Sequence, residues 1–338
     1  MAAPPSERSA ERARVQAFTE ARVLVLGDLV ADHYVFGQTD RVSREAPVLI
    51  VRYEASEVKL GGAANAAANV RSLGGKVVTL GVLGEDEMGA ALQAAFAQSD
   101  IAFRGLTRPT LMTETKMRIL AGGLNTTRQQ MLRVDRGNRP PLSLEVQREL
   151  EARLRDEAPR ADAILVSDYG SGVVNDLTRT ALAELSAAGM TVCVDSRYGL
   201  RDFRRATACK PNEPELEALT GLTIRSEASL REAAHRALEL LACDALLVTR
   251  GRSGMALFEA SGAEEILPVH GAAEAVDVTG AGDTVIATFT LALAAGASKG
   301  EAARLANVAG ALVVQKQGTA TVSASELSDA LGATLART

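Results

Sequence analysis

Short apolar runs and helix-periodic stretches alternate along most of the chain. ArgValLeuValLeuGly at 22–27, LysValValThrLeu at 76–80, AlaIleLeuVal at 163–166, ThrValCysVal at 191–194 and AlaLeuLeuVal at 245–248 are continuous and aliphatic. Each is short for a helix and too uniformly apolar for a strand with one wet face, which predicts strands covered on both sides. Segments 61–72, 177–188 and 230–241, lying between these runs, read as helices. The alternation predicts an α/β fold of three layers, with a mostly parallel central sheet and ligand sites at the carboxyl ends of its strands.

Two stretches interrupt this order. Residues 35–53 and 113–134 hold short alternating segments and turn sequences such as GlyGlyLeuAsn at 122–125. They predict extra strands standing off the main sheet, inserted at about 33–55 and 112–135 of one domain running from 21 to 338. Residues 1–20 read as a polar tail that becomes helical around 10–19. They have no apolar segment of the kind a secretory signal needs, and no later run is long enough to span a bilayer, so a cytoplasmic protein without membrane contact is expected.

Composition narrows the chemistry. Of the 338 residues 47% are hydrophobic but only 3% aromatic, which suits Val/Leu strands under Ala-rich helices. A net charge of −5, with no basic run interleaved with aromatics, argues against a nucleic-acid partner. Cys193, Cys209 and Cys243 form no CxxC pair and read as reduced thiols; His33, His235 and His270 are scattered and form no metal cluster.

The segment AspValThrGlyAlaGlyAsp at 277–283 reads as a loop entering a helix. Gly280, Ala281 and Gly282 carry almost no side chain, so backbone N–H groups can approach an anion there. Asp283 stands where a carboxylate can deprotonate a hydroxyl while the amides hold the charge of a moving phosphoryl group. An ordinary small-residue helix start with a capping Asp would look alike. A second small-residue motif, Gly61 to Asn69, tips the balance toward chemistry: Asn65 and Asn69 share a helix face, and buried amides there need partners that a polyol would supply. Asp28 and Asp32 follow the first strand; either they are plain loop carboxylates or, with Gly61, Gly62 and Asn65, a cradle for sugar hydroxyls. LysProAsnGluProGlu at 210–215 contains Asn212 and Glu215 at the spacing of a helix capping box.

With these motifs the chain resembles a ribokinase-like (PfkB) sugar kinase from about Arg22 onward. Segments 25–37, 41–47, 166–172 and 319–323 resemble the branch that phosphorylates D-glycero-β-D-manno-heptose 7-phosphate on its anomeric hydroxyl. The resemblance implies ATP and Mg²⁺, with Asp283 as base and 280–282 as the anion hole. It implies that Asp28 and Asp32 hold sugar hydroxyls and that Asn212 and Glu215 position the magnesium ion and its water shell. Thr249, Gly251 and Gly254 match a loop against the ATP phosphates, and Asn307 and Gly310 match the adenine pocket. Asp277 and Thr279 are candidates for a monovalent cation such as K⁺. The resemblance also implies that the inserted strands form a small β lid over the sugar site. A substrate phosphate would need cations, for which Lys116, Arg118, Arg128 and Arg133 of the lid are candidates; a solvated lid face explains them equally well. The lid also implies a homodimer, with Val48, Ile50 and Leu120 expected along an apolar edge.

Two positions depart from that branch. AspSerArg stands at 195–197 where Asp-Pro-Lys is usual, which puts a basic contact near substrate or nucleotide in question, Arg197 being its non-equivalent substitute; SerArgGluAlaPro at 43–47 replaces SerProGluAlaPro. No Walker A motif or protein-kinase signature occurs, and no GlyxGlyxxGly follows the first strand, which excludes a dinucleotide oxidoreductase. A sugar-phosphate sensor on the same fold would have no need of Asp283. Bifunctional members add a nucleotidyltransferase domain with a His-x-Gly-His motif; that motif is missing here, so the kinase unit alone is expected.

Overall fold

The computed structural model describes residues 5–123, 127–137, 141–271 and 275–333. The chain opens with helix α1 (Pro5–Ala17), strand β1 (Arg22–Gly27) and two long strands, β2 (Leu29–Val42) and β3 (Leu49–Gly62). Then come α2 (Ala63–Ser72), β4 (Lys76–Leu80), β5 (Val82–Gly84), α3 (Glu87–Gln98), β6 (Ala102–Phe103), β7 (Leu106–Arg108), β8 (Glu114–Gly122) and β9 (Gln129–Arg136). The next part contains α4 (Leu144–Glu157), β10 (Ala163–Asp168), α5 (Asp176–Ala187), β11 (Thr191–Ser196), β12 (Ala208–Cys209), α6 (Glu213–Thr220) and α7 (Glu227–Leu241). It closes with β13 (Ala245–Thr249), β14 (Met255–Glu259), β15 (Glu264–Leu267), α8 (Ala281–Ala294), α9 (Lys299–Val313) and α10 (Ala324–Ala333).

Nine strands form the central sheet in the order β15-β14-β13-β12-β11-β10-β1-β4-β6. All pair in parallel except the β13–β14–β15 edge, which is antiparallel. The expected strands are present, and β6, β12, β14 and β15 extend the sheet beyond them. Alternate side chains serve opposite layers. Val23, Val25, Leu165, Cys193 and Leu247 join one core beneath α2, α8 and α9; Leu24, Leu26, Ile164, Val166 and Leu246 join another beneath α4, α5 and α7. Burial on both faces is why these strands carry no polar alternation. The three cysteines are free and buried. Burial pushes the Cys193 thiol up to about 12, so it behaves as a small hydrophobe. No helix among the described residues is long and apolar enough to cross a membrane.

A second sheet, in the order β3-β2-β8-β9, is the lid. Its first two strands begin immediately after Asp28 and end at Gly62, so they reach beyond the expected 33–55 at both ends and touch the aspartate and glycine motifs. The turn expected at 122–125 lies partly outside the described residues. Register sets one row of the inner face as Lys59, Asp32, Lys116 and Asp135, and the next as Glu57, Tyr34, Arg118 and Arg133. Leu120 does not lie on an edge as expected: β8 is an interior strand, and Leu120 faces a cavity under the lid. The exposed apolar residues of edge strand β9 are Met131, Leu132 and Val134, and Val48 sits in the turn before β3.

Candidate active site

The carboxyl ends of β1, β10, β11 and β12 deliver Asp28, Tyr169, Asp195 and Lys210 to one place, and α8 enters it from the other side. The helix starts at Gly280, whose φ of 77° is left-handed and whose side chain offers no cap. Ala281 N donates to the Val278 carbonyl at 3.2 Å, while the N–H groups of Gly282 and Asp283 have no side-chain cap and can meet an anion. A Cβ at Gly280 would stand 2.7 Å from Asn65 Nδ2, so glycine is required twice over, for backbone and for contact. A Cβ at Gly282 would be 3.4 Å from Lys210 Nζ, which places that ammonium beside the same amides.

Asp283, in the first turn of α8, is 4% exposed. Asn65 Nδ2 donates to its Oδ2 at 2.8 Å, and the Tyr169 hydroxyl donates to Oδ1 at 2.8 Å. Burial and the nearby Asp195 charge push the carboxyl up to about 6, against the pull of Asn65, Tyr169 and Lys210. A base poised there is ionised at neutral pH yet able to take a proton.

The asparagine pair serves a purpose other than the expected one. Asn69 Nδ2 donates to the carbonyl and side-chain oxygens of Asn65 at 3.0 and 3.2 Å, and Thr284 donates to Asn69 Oδ1 at 2.9 Å. The partners that buried amides need come from the protein, so Asn65 orients the carboxylate of Asp283 and does not wait for a polyol. Asp28 is likewise engaged. It is wholly buried, and its Oδ2 accepts from the backbone N–H groups of Tyr169 and Ser171 at 2.7 and 3.1 Å. Burial, with Asp168 adding to it, raises its pKa to about 6.

Asp32 stays at the mouth of the lid. It accepts from Arg118 and, at 2.9 Å, from Thr319, whose hydroxyl also meets Tyr34 at 3.1 Å. A Cβ at Gly61 would stand 2.5 Å from Asp32 Oδ2, and Gly62 has a left-handed φ of 55°. Gly61 thus admits the aspartate and Gly62 the left-handed turn. Of the four lid cations expected near a substrate phosphate, Arg118 is paired with Asp32, Arg128 with Glu54 at 2.7 Å and Arg133 with Asp135 at 2.9 Å. Lys116 has no carboxylate partner among the described salt bridges; its ammonium lies 4.8 Å from the Tyr169 ring centre. Beyond Tyr34 a cavity of about 620 Å³ is lined by Phe36, Lys59, Leu120, Arg128 and Gly318.

On the other flank, Lys210 pairs with Asp195 at 2.9 Å. Burial works to neutralise the lysine, but Asp195 outweighs it and raises its pKa. Lys210 thus supplies the cation that the AspSerArg departure had left open, while Arg197 lies against Tyr198, 5.7 Å from its ring centre. Asn212 and Glu215 form the capping box of α6, with Glu215 N donating to Asn212 Oδ1 at 2.8 Å and Asn212 N donating to Glu215 Oε2 at 3.0 Å. Burial raises the pKa of Glu215. Among the described residues no three His, Cys, Asp or Glu side chains are gathered to hold a metal, so these oxygens suit a divalent ion that keeps its waters and takes its other ligands from phosphate. Thr249 bridges to Asn212, and Gly251 and Gly254 turn the chain back with φ of 54° and 82°. Asn307 donates to the Pro268 carbonyl at 2.7 Å, and Gly310 packs on Val285. Asp277 accepts from Thr279 N and Gly318 N, both at 2.9 Å, so it closes the loop before α8.

Tyr169, Asp195, Lys210, Thr319 and Lys59 were not predicted. Four of them lie within quoted motifs, all but Lys59, but only the folded register shows what they touch.

A profile of the family described as pfkB family carbohydrate kinase matches residues 20–326. The bifunctional protein HldE of Geotalea uraniireducens is 41% identical over 93% of this chain and 63% of its own length. HldE of Caulobacter vibrioides is 41% identical over 92% of the chain and 64% of its own length. The chain therefore spans a little under two thirds of these relatives. Phosphofructokinase-2 from Escherichia coli, in complex with substrates and products, superposes with a TM-score of 0.76 at 18% identity, covering 94% of this chain and all (100%) of that one. Arabidopsis thaliana ribokinase, complexed with ribose and ATP, gives 0.70 at 23%, covering 92% and 98%.

Gly280→Ala should be destabilising, since the left-handed backbone alone costs about 1–2 kcal/mol for a residue with a Cβ and the methyl would press on Asn65. The midpoint of urea unfolding should fall. An unchanged midpoint would show that the α8 start is not held in this geometry.

Proposed function

The chain belongs to the pfkB family of carbohydrate kinases and is an ATP-dependent sugar kinase, and within that family we propose that its acceptor is a sugar phosphate, D-glycero-β-D-manno-heptose 7-phosphate, taken at the anomeric hydroxyl. One observation carries this reading: Lys116, a lid cation without an acid partner in the described salt bridges, faces inward beside Asp32 and Tyr169 at the reaction centre. The resemblance of 25–37, 41–47, 166–172 and 319–323 to that branch supports the choice of sugar.

In the reaction, the acceptor hydroxyl gives its proton to Asp283. Its oxygen bonds to the terminal phosphorus of ATP, and the bond from that phosphorus to the departing ADP oxygen breaks. The uncapped amides at the start of α8 and the ammonium of Lys210 face the charge that develops. Asp32, with Arg118 and Thr319 fixing it, accepts hydroxyls of the sugar. Asn212 and Glu215 would hold the water shell of Mg²⁺, which supplies charge neutralisation on the nucleotide phosphates when bound. The acidic partners of Arg118, Arg128 and Arg133 leave Lys116 to meet the substrate phosphate. The apolar edge of β9 supports a homodimer joined through the lids.

Asp283→Asn should preserve folding and nucleotide binding and lower kcat by roughly 10²–10⁴. Because the base acts ionised and its pKa is raised to about 6, wild-type kcat should fall as pH drops through that value and level off above it. Near wild-type turnover by the variant would remove Asp283 from the role of base.

ADP release with a panel of sugars and sugar phosphates tests the acceptor. Heptose 7-phosphate should exceed its dephosphorylated form by about ten- to a hundredfold in kcat/KM, the scale of a charge-assisted contact worth roughly 1.5–3 kcal/mol. Lys116→Glu should erase the preference and spare the neutral sugar. Equal rates on both forms would point to an unphosphorylated acceptor. Sedimentation at micromolar concentration should give a dimer, and Leu132→Asp should shift it toward monomer; a monomeric wild type would count against pairing through the lids.

A further inference from the structure

Tyr169 is the one residue that touches the reactive carboxylate from the sugar side and has no part in the mechanism so far. Its hydroxyl donates to Asp283 Oδ1 at 2.8 Å while Asn65 holds Oδ2, so the carboxylate is gripped at both ends. Burial and the Asp283 charge raise the phenol's own pKa well above its ordinary value, so it remains a donor at any working pH. The ring and the loop that carries it have further contacts. Lys116 lies 4.8 Å from its centre, and the next residue, Gly170, has a φ of 82° and packs against Tyr198. The backbone N–H groups of Tyr169 and Ser171 are both tied to the buried carboxylate of Asp28.

We propose that Tyr169 is a positioning residue for the base: its hydroxyl aims Oδ1 of Asp283 at the acceptor and favours the ionised carboxylate, and Asp28 acts at one remove by holding the loop that carries Tyr169. The proposal rests on Asp283 being the base. A phenol that donates to a carboxylate stabilises the charged form, and its loss leaves Asp283 facing the negative Asp195 with only Asn65 and the Lys210 ammonium in compensation. It also frees the carboxylate to rotate about its Cβ–Cγ bond. The contact between Tyr169 and the cation Lys116 favours the donor role, since the ring lends electron density to the ammonium.

The test is the pH dependence of kcat and of both KM values for Tyr169→Phe, which keeps the ring and its stacking. Asp283→Asn, assayed beside it, tests the underlying reading separately. The proposal expects the acid limb of kcat to move upward by about one pH unit, the scale of one hydrogen bond to a charged group. It also expects kcat on the plateau to fall about three- to thirtyfold, with both KM values within threefold of wild type. Asp28→Ala, if folded by circular dichroism, should give the same shift, and adding it to Tyr169→Phe should move the limb no further. A steep rise in acceptor KM with an unmoved acid limb would make Tyr169 a sugar ligand and overturn the proposal. So would a variant indistinguishable from wild type while Asp283→Asn is inactive. An active Asp283→Asn would instead overturn the assignment of the base itself.

Discussion

A carboxylate that must ionise while almost fully buried is the constraint around which this molecule is arranged. Removing such a charge from water is costly unless hydrogen bonds and opposite charges replace the lost solvent. Asp283 obtains them from four directions: the α8 N-terminus beneath it, Asn65 from α2, Tyr169 from the end of β10 and, through space, Lys210 from β12. No single segment could supply this set. A parallel sheet can, because all its carboxyl ends open on one side and each strand contributes one or two residues there. The two flanking helices must then come close, which explains the alanines of α2 and the Gly-Ala-Gly start of α8 as much as any phosphate does.

The lid shows how charge rows are used differently on either side of one strand. Across β3, β2, β8 and β9 the row Lys59, Asp32, Lys116 and Asp135 alternates in sign, the next row sets Arg118 beside Arg133, and most cations have a carboxylate in register or nearby. Surface pairs of this kind add little stability. Of the four candidate cations they engage Arg118, Arg128 and Arg133, and Lys116 alone has no carboxylate among the described salt bridges. Asp32 links this sheet to the body through Thr319 and Tyr34, so the sugar-side carboxylate is held from the lid and from the loop after α9 at once.

Much of this was legible in the sequence, for identifiable reasons. Strands covered on both faces leave uninterrupted apolar runs, and 22–27, 76–80, 163–166, 191–194 and 245–248 were found by that sign alone. Close approach of backbone to an anion demands small residues, which made 280–282 and 61–62 visible. The Asn65–Asn69 spacing correctly placed both amides on one buried face, but their partners lie far along the chain: Asp283 is 218 residues from Asn65, and Thr284 is 215 from Asn69. Period-two alternation likewise tells which lid residues share a face and not which residue stands opposite, so the pairing of three of the four candidate cations was beyond reach. That Asp28 holds the loop at 169–171 through Oδ2 was not legible, because the backbone donors lie 141 and 143 residues away; its Oδ1 stays buried with no hydrogen-bond partner.

The AspSerArg departure illustrates how a site tolerates a changed motif. Asp195 keeps its place at the end of β11, but its cation arrives from the neighbouring strand: Lys210 meets it at 2.9 Å and lies beside Gly282. Arg197 instead rests on Tyr198 toward solvent. A compact ammonium also suits the electrostatics better. Held by Asp195, Lys210 remains charged despite burial, yet the pair carries no net charge that would need relief before a nucleotide binds. The open amides of α8 then supply positive potential without a counterion of their own, so an arriving phosphate meets a preorganised site and need not break an existing salt bridge to enter it.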